Sequence, residues 1–281
     1  MTNFIEEQLI LISTPIYALL ILIEILLSNY QHRPFYSFKD TLTNFVMMLT
    51  NGGIDLLFRG FYFSVLLFFY GFSIVDHTHG ISYWLGLFFL EDLAFYTLHV
   101  MEHYVRFFWA VHVTHHSSDY FNLTTGFRSS VFQPLYRFVF FIPIVLLGFH
   151  PADIVLMYSI TQIYGILVHT NYTHKLGWLE YVFVTPSHHR VHHASNPRYL
   201  DKNMGMCLII WDRLFGTFQE EIDDEKPVYG ITKPLEDRSL TNTLFHEWKA
   251  IGADLRHTSD LGTKWRLLFK PPGWQPDNSQ N

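Results

Sequence analysis

Histidine is the residue type in this chain best suited to chemistry, because imidazole is a common metal ligand and titrates near neutral pH. The chain has 17 histidines, and three short motifs, HVMEH, HVTHH and HRVHH, contain many of them. These motifs hold the following candidate catalytic and metal-binding residues: His99, His103, His112, His115, His116, His189, His192 and His193. Within each motif, residues three or four apart share one face of a helix. Their imidazoles can therefore converge on a metal ion.

The number of candidate ligands predicts two metal ions. His169 and His188 are further candidates, and His174 is a possible one. One tetrahedral zinc ion takes four ligands, so nine or more histidines exceed what a single ion needs. An all-nitrogen ligand set suits iron, copper or zinc better than magnesium or calcium.

Other metal chemistries are open on the motifs alone. HVMEH matches the inverted zinc-protease motif H-x-x-E-H, in which Glu102 would be the general base. That zinc hydrolase leaves HVTHH and HRVHH without a role. A haem protein needs only one or two protein ligands per iron. A metal transporter would hold its ligands near the bilayer midplane, between repeated halves of the chain. A dinuclear site accounts for more of the histidines than any of these.

The composition indicates a membrane protein. The chain is 49% hydrophobic and 16% charged, with a net charge of −6. Ordinary soluble domains carry about 25% charged residues. Without a basic surface the chain is not expected to bind nucleic acid. Its single cysteine, Cys207, excludes an internal disulfide and a thiolate-rich metal site.

Five apolar segments predict the architecture. They comprise residues 8–28, 54–75, 81–100, 131–149 and 152–170. A helix of about 20 apolar residues crosses a bilayer. We therefore predict an all-α, multi-pass integral membrane protein with about four to five transmembrane helices and a helical, histidine-rich metal domain.

The distribution of lysine and arginine predicts the orientation. Neither residue occurs before Arg33, and most of them lie in the tail that follows the last span. The positive-inside rule then places the tail in the cytoplasm, in a bacterial inner membrane or the endoplasmic reticulum. Arg59 and Arg137 lie close enough to this face to reach it. All three histidine motifs fall at the same face, whereas His77 and His79 fall at the opposite one.

Several polar residues near the motifs are candidates for supporting the ligands or binding a cofactor. Asp92 and Tyr96 lie on the same helical stripe as His99. A carboxylate inside an apolar segment is usually functional, so Asp92 could orient a histidine through Tyr96, or make a polar contact between helices. The remaining candidates are His188, Asp201 and Asn203. Asp201 and Asn203 could bind the His192–His193 turn, or cap a helix.

The three motifs, placed after paired apolar segments, resemble those of the fatty acid hydroxylase/sterol desaturase superfamily of membrane di-iron enzymes. The segments HHSSDYFNLTTGFRSSVFQP and TPSHHRVHHASNPRYLDKNMGMCLIIWDRLFGTF are most similar to the alkylglycerol monooxygenase branch. The resemblance implies that the eight motif histidines and His169 bind two iron ions. Position 173 is Thr where fatty-acid hydroxylases have another histidine, so the contribution of His169 and His174 stays open.

The resemblance also implies a reaction. Such an enzyme uses O2 and two electrons to hydroxylate, or desaturate, a C–H bond of a membrane lipid. The alkylglycerol branch cleaves ether lipids, and a sterol desaturase or a fatty acid or carotenoid hydroxylase is the alternative. Electrons would come from a separate donor, either tetrahydrobiopterin or a cytochrome-type or NAD(P)H reductase chain.

The whole chain, residues 1–281, is predicted to form one domain of this type. Residues 1–84 would be an anchor region and residues 85–230 the catalytic region. Residues 231–281 would be an interfacial tail, because tryptophans there alternate with lysine and arginine.

Overall fold

The fold is seen in a computed structural model that describes residues 2–276. The described residues form helices and no multi-residue strand; two isolated bridges are the only extended pairings among them. The helices are α1 (Thr2–Tyr30), α2 (Phe38–Tyr70), α3 (Ile81–Tyr104), α4 (Arg106–His116), α5 (Ile142–Leu146), α6 (Pro151–Leu167), α7 (Pro186–His192), α8 (Ile210–Phe215), α9 (Leu240–His257) and α10 (Leu261–Phe269). The all-α prediction is confirmed.

Three helices are long and apolar enough to cross a membrane. They are Glu7–Tyr30 in α1, all of α2 and all of α3. Their outer faces carry exposed apolar side chains; on α2, Leu56 is 74% exposed and Leu57 is 78% exposed. Such faces are stable against lipid tails, and an integral membrane protein is therefore confirmed.

The fourth predicted span is not a continuous helix. Residues 131–149 instead form the short 3₁₀ helices Gln133–Leu135 and Arg137–Phe141, followed by α5. Pro134 and Pro143 each lack a backbone N–H, which favours short turns over a long helix. The fifth span becomes α6, with 17 residues. Three of the five spans thus have full length, and the total of four to five stays a prediction.

A core of aromatic and aliphatic side chains joins α2, α3, α5 and α6. Leu66 on α2, Leu87 and Leu98 on α3 and Ile154 on α6 are among its fully buried members. Burying such side chains contributes about 1.5–3 kcal/mol each. This core fixes the positions of the helix ends that carry the histidines.

The end of the core opposite the histidine motifs is closed by a tight turn. Gly148 has φ +96°, and a Cβ there would lie 2.0 Å from the carbonyl oxygen of Val75, so only glycine fits. His77 contacts the carbonyl oxygen of Leu147 at 2.9 Å, and His79 contacts Asp153 at 3.0 Å. The two histidines excluded by the sequence analysis therefore connect segments at the opposite end.

The C-terminal helices α9 and α10 pack against α4. Arg106 at the start of α4 donates to Glu247 at 2.7 Å and to Asp254 at 2.6 Å. The outer face of α10 exposes Leu261 (79%) and Trp265 (65%). The interfacial position of residues 231–281 and the division of the chain into three regions stay predictions.

Candidate metal centre

Nine buried or half-buried histidines form two clusters at one end of the helices. The first cluster contains His99, His103, His112, His116 and His192. The second contains His115, His169, His189 and His193. Within each cluster, one ring nitrogen per residue lies within 4.8 Å of those of all the others. Each set of nitrogens is close enough to surround one metal ion.

The two HxxHH motifs each contribute to both clusters. On α4, His112 and His116 face the first cluster and His115 faces the second. At α7 one histidine, His192, faces the first cluster. The other two, His189 and the residue that follows the helix, His193, face the second cluster. The second cluster is completed by His169, two residues beyond the end of α6. The clusters are therefore neighbours that share two helices.

The facing ring nitrogens lie close enough together to bind a common metal ion. The Nε2 atoms of His99 and His112 are 3.0 Å apart, and those of His169 and His189 are 2.9 Å apart. The buried Nε2 of His192 has no hydrogen-bond partner among the residues that the structure describes. Buried polar atoms without partners are costly, whereas metal coordination uses all these lone pairs. The residues present fit two metal ions.

In four of the nine histidines the opposite ring nitrogen is held by a backbone carbonyl. Nδ1 of His99 donates to the carbonyl of Met204 at 2.7 Å, and Nδ1 of His169 donates to that of Gly165 at 2.7 Å. His115 and His192 are held in the same way, by the carbonyls of Arg128 and Lys202, both at 2.9 Å. A proton fixed on Nδ1 leaves the Nε2 lone pair directed into the cluster, the arrangement that orients metal ligands.

Burial keeps these imidazoles neutral. It lowers the pKa of His115 to about 4 and lowers those of His112 and His189 well below the ordinary value of 6.5. At neutral pH the histidines therefore offer lone pairs instead of positive charge. Metal ligands must be in this unprotonated state.

Glu102 supports His112. Its carboxylate is fully buried, lies 3.2 Å from Nδ1 of His112, and accepts hydrogen bonds from Gln133 at 2.8 Å and Tyr136 at 2.5 Å. Ser130 lies 3.0 Å from the same Nδ1. From the sequence, Glu102 was considered only as a hydrolytic base, and Ser130 was not predicted. The signal for Glu102 was a carboxylate between two candidate ligands, His99 and His103; nothing local indicated Ser130.

Asp92 and Tyr96 act at a distance from the histidine rings. Asp92 accepts hydrogen bonds from the backbone N–H groups of Cys207 and Leu208, at 2.8 and 3.1 Å, and from the Trp211 indole. Tyr96 contacts Thr217 at 2.9 Å. Asp92 thus holds the loop whose Met204 carbonyl binds His99, so the support runs through the backbone and not through Tyr96.

Asp212 holds the same loop from its other side. Its carboxylate accepts hydrogen bonds from the N–H groups of Met204 and Gly205, at 2.7 and 2.8 Å. A Cβ at Gly205 would lie 2.6 Å from the carbonyl oxygen of Leu208, so the turn requires glycine. The sequence analysis did not single out Asp212, although it stands in the quoted segment WDRLFGTF.

Of the remaining predicted residues, one contacts a clustered histidine directly, and the others lie outside the clusters. Asp201 contacts Nδ1 of His103 at 3.0 Å. Asn203 donates to the carbonyl of His188 at 3.0 Å, and so supports the backbone of α7. His188 occupies the capping box of α7 with Thr185 and belongs to neither cluster. His174 is exposed and also lies outside both.

Replacing Asp201 with asparagine tests the support of His103. Both residues tolerate the left-handed backbone of position 201, where φ is +56°, so the change removes mainly the charge. We expect metal affinity to fall about tenfold, because a partner of a ligand typically contributes that much or more. Metal titration of the purified variant measures this. Asp224→Asn, in an exposed loop, is the control, and equal affinity in both variants would show that Asp201 does not support the site.

An elongated cavity of about 350 Å³ leads to the histidines. Members of both clusters line one end, including His99, His112 and His169. Apolar walls are supplied by Phe95 and Ile166, among others, and a group of charged and polar side chains lies beyond them. Members of both clusters therefore face one common cavity.

The segment that carries the two clusters matches a known protein family. Residues 84–217 match the model of the fatty acid hydroxylase family. The match covers all nine clustered histidines and the loop that orients His99. The resemblance expected from the histidine motifs is confirmed.

Within this family the chain is similar to alkylglycerol monooxygenases. It is 39% identical to the Homo sapiens enzyme over 194 residues, which cover 69% of this chain and 43% of the relative. It is 33% identical to the Danio rerio enzyme over 273 residues, or 94% of this chain and 59% of the relative. An ornithine lipid hydroxylase of Rhizobium tropici is 31% identical over 144 residues, or 51% of this chain and 44% of the relative.

The chain therefore spans 43% to 59% of the length of these relatives. No solved structure is significantly similar to it.

Proposed function

We propose that this chain is a di-iron monooxygenase that hydroxylates the carbon beside the ether oxygen of a membrane ether lipid. The observation that carries the proposal is the pair of histidine clusters beside one cavity between apolar helices. An all-imidazole ligand set excludes the hard, oxygen-ligated cations and suits iron. The relatives named alkylglycerol monooxygenase support the choice of substrate.

In this proposal the first cluster binds one iron ion through His99, His103, His112, His116 and His192. The second cluster binds the other through His115, His169, His189 and His193. When bound, the two ions supply the activation of O2 and the oxidation of the C–H bond. The neutral Nε2 atoms bind the ions, and Met204, Gly165 and Arg128 hold protons on Nδ1 of their partner histidines.

The protein also binds and orients the lipid. Phe95, Phe141 and Ile166 give the cavity apolar walls that accept an alkyl chain and keep water out. The overall reaction consumes one O2, two electrons and two protons, and yields one hydroxyl group and one water. A hydroxyl on the carbon beside an ether oxygen makes the C–O bond labile, so cleavage to an aldehyde and an alcohol follows.

The electrons come from a separate donor in this proposal, tetrahydrobiopterin or a reductase chain. In this proposal the protein lies in a bacterial inner membrane or in the endoplasmic reticulum. Its histidine clusters face the cytoplasm, as the positive-inside distribution predicts. A cytoplasmic site would be accessible to either donor.

Metal analysis and turnover together test the proposal. The full chain, purified in detergent, should hold about two iron ions and should oxidise 1-O-hexadecylglycerol only when O2 and a reductant are present. Iron is quantified together with zinc and copper, and the aldehyde product is measured by mass spectrometry. About one zinc ion, no iron and hydrolysis without O2 would overturn the proposal in favour of a zinc hydrolase. Iron with turnover of sterols or fatty acids alone would keep the metal centre and replace the substrate.

A further inference from the structure

The cavity has a polar section next to its histidine end. Along α6, the lining residues Val155, Ser159, Gln162 and Ile166 repeat every three or four positions and lead to His169. They form one face of the helix, and this face extends about 20 Å. Gln162 lies about two helical turns, or about 10 Å, from His169. The polar section is thus within the length of a lipid head group from the clusters.

Three charged side chains and two tyrosines form most of this section. Asp55 on α2 accepts hydrogen bonds from Arg137 and, at 2.9 Å, from Arg59, and Tyr62 contacts it at 3.4 Å. Arg137 also donates to the hydroxyl of Tyr158 at 3.3 Å. Charged groups within apolar helices are costly and usually mark a binding site or pathway. Here they all line the cavity.

The position of Arg59 connects this section to the bilayer. Its side chain is 43% exposed, whereas that of Asp55 is 11% exposed. Leu56 and Leu57, its neighbours on α2, face outward. A lipid that enters between the apolar helices beside Arg59 would therefore meet this side chain on its way to the histidines.

Gln162 adds a donor that the fold does not use. Its Nε2 atom is buried and has no hydrogen-bond partner within residues 2–276, yet the residue lines the cavity. An amide NH₂ offers two donors, and leaving them unpaired in a buried position costs about 1–3 kcal/mol. An acceptor oxygen on a bound molecule would remove this cost.

We infer that Gln162, together with Asp55, Arg59 and Arg137, forms a head-group site that binds the oxygen-rich glycerol end of the lipid. The site holds the carbon beside that end toward the histidine clusters. Because guanidinium and amide groups are donors, the head group must present acceptor oxygens, either glycerol hydroxyls or a phosphate ester. This inference rests on the proposed function only for the identity of the lipid.

Equilibrium binding of labelled lipids to the metal-free protein in nanodiscs tests the site without turnover. The probes are 1-O-hexadecylglycerol, its phosphate ester and hexadecyl methyl ether, which has the same chain without the glycerol. Gln162→Leu is expected to weaken binding of the lipid that carries the natural head group about tenfold, because one buried hydrogen bond is lost. Binding of the methyl ether should change less than twofold.

A matched variant controls for the substitution itself. Gln31→Leu makes the same change at an exposed position outside the cavity and should bind all three lipids like the parent. Gln162→Asn, which retains a shorter amide, should fall between the parent and Gln162→Leu. If Gln162→Leu does not fold, the inference depends on Gln162→Asn, which should weaken binding of the head-group lipid selectively.

The outcomes separate the two head groups and the two proposals. Tighter binding of the phosphate ester, lost in Arg59→Gln, identifies a phosphate head; equal effects of Arg59→Gln on both glycerol lipids identify the hydroxyls. An equal loss of affinity for the methyl ether in Gln162→Leu would overturn the inference, because Gln162 would then only pack against the chain. Selective binding to the metal-free protein, combined with no turnover by the iron-loaded protein, would keep the head-group site and overturn the proposed monooxygenase.

Discussion

Replacing His192 with alanine is expected to reduce turnover at least about 100-fold and to remove one of the two iron ions that we propose. His192 is a member of the five-histidine cluster, and its buried Nε2 has no other partner in the described part of the chain. Losing a partner that only orients a ligand costs 10–100-fold, so losing a ligand should cost more. Steady-state turnover of 1-O-hexadecylglycerol and iron quantification of the same preparation measure both effects.

His174→Ala is the matched control for this prediction. His174 is exposed and lies outside both clusters, so iron content and turnover should equal those of the parent. Unchanged activity in His192→Ala would show that the first cluster is not the catalytic centre. Loss of both iron ions, with the helical content intact, would show that the clusters bind their ions cooperatively.

Removing the metal is expected to lower the melting temperature by about 10 °C. Without ions, the Nε2 atoms of neighbouring histidines face each other at distances such as the 3.0 Å between His99 and His112. A ligand present at 1,000 times its dissociation constant stabilises a folded protein by about 4 kcal/mol. For a domain of this size that corresponds to roughly 10 °C. Thermal unfolding in detergent, followed by tryptophan fluorescence before and after chelation, measures the change.

Adding iron back should restore the melting temperature. Acid should lower the melting temperature of the iron-loaded protein again. Protons compete with metal for Nε2, and burial lowers the pKa of His115 to about 4, so metal should be retained near neutrality and released as the pH approaches 4. Parent protein that melts at the same temperature with and without chelator would contradict a structural contribution of bound metal. His192→Ala, which lacks a ligand, should show a smaller chelator effect than His174→Ala.

The nine clustered histidines could be predicted because ligand spacing is a local property. His99 and His103 are one helical turn apart whatever surrounds them, and the same holds for His112 and His116. How the clusters divide these residues could not be predicted. It depends on how α4 and α7 are rotated about their axes, which distant packing decides. The sequence therefore indicated two metals without indicating that His115 belongs with His169.

The supporting contacts were harder to predict for a different reason. Four of the nine clustered histidines are held by backbone carbonyls, such as those of Met204 and Gly165, which are present at every residue and leave no sequence signal. Asp92 was singled out as a carboxylate in an apolar helix, but its partners lie more than 100 positions away and could not be predicted. The prediction of a continuous fourth helix was wrong, because the apolar composition of residues 131–149 concealed the helix-breaking effect of Pro134 and Pro143.

The division of the clusters among distant segments has a consequence for biosynthesis. Each cluster combines residues of α4 with residues of α7, and His99 also needs the Met204 carbonyl that Asp212 holds in place. A ribosome that has inserted α1 to α4 has therefore produced only part of each ligand set. Both ligand sets that we propose are complete only after residue 193 has been translated, and the support of His99 only after residue 212, so full metal binding is expected to follow the membrane insertion of α1 to α4.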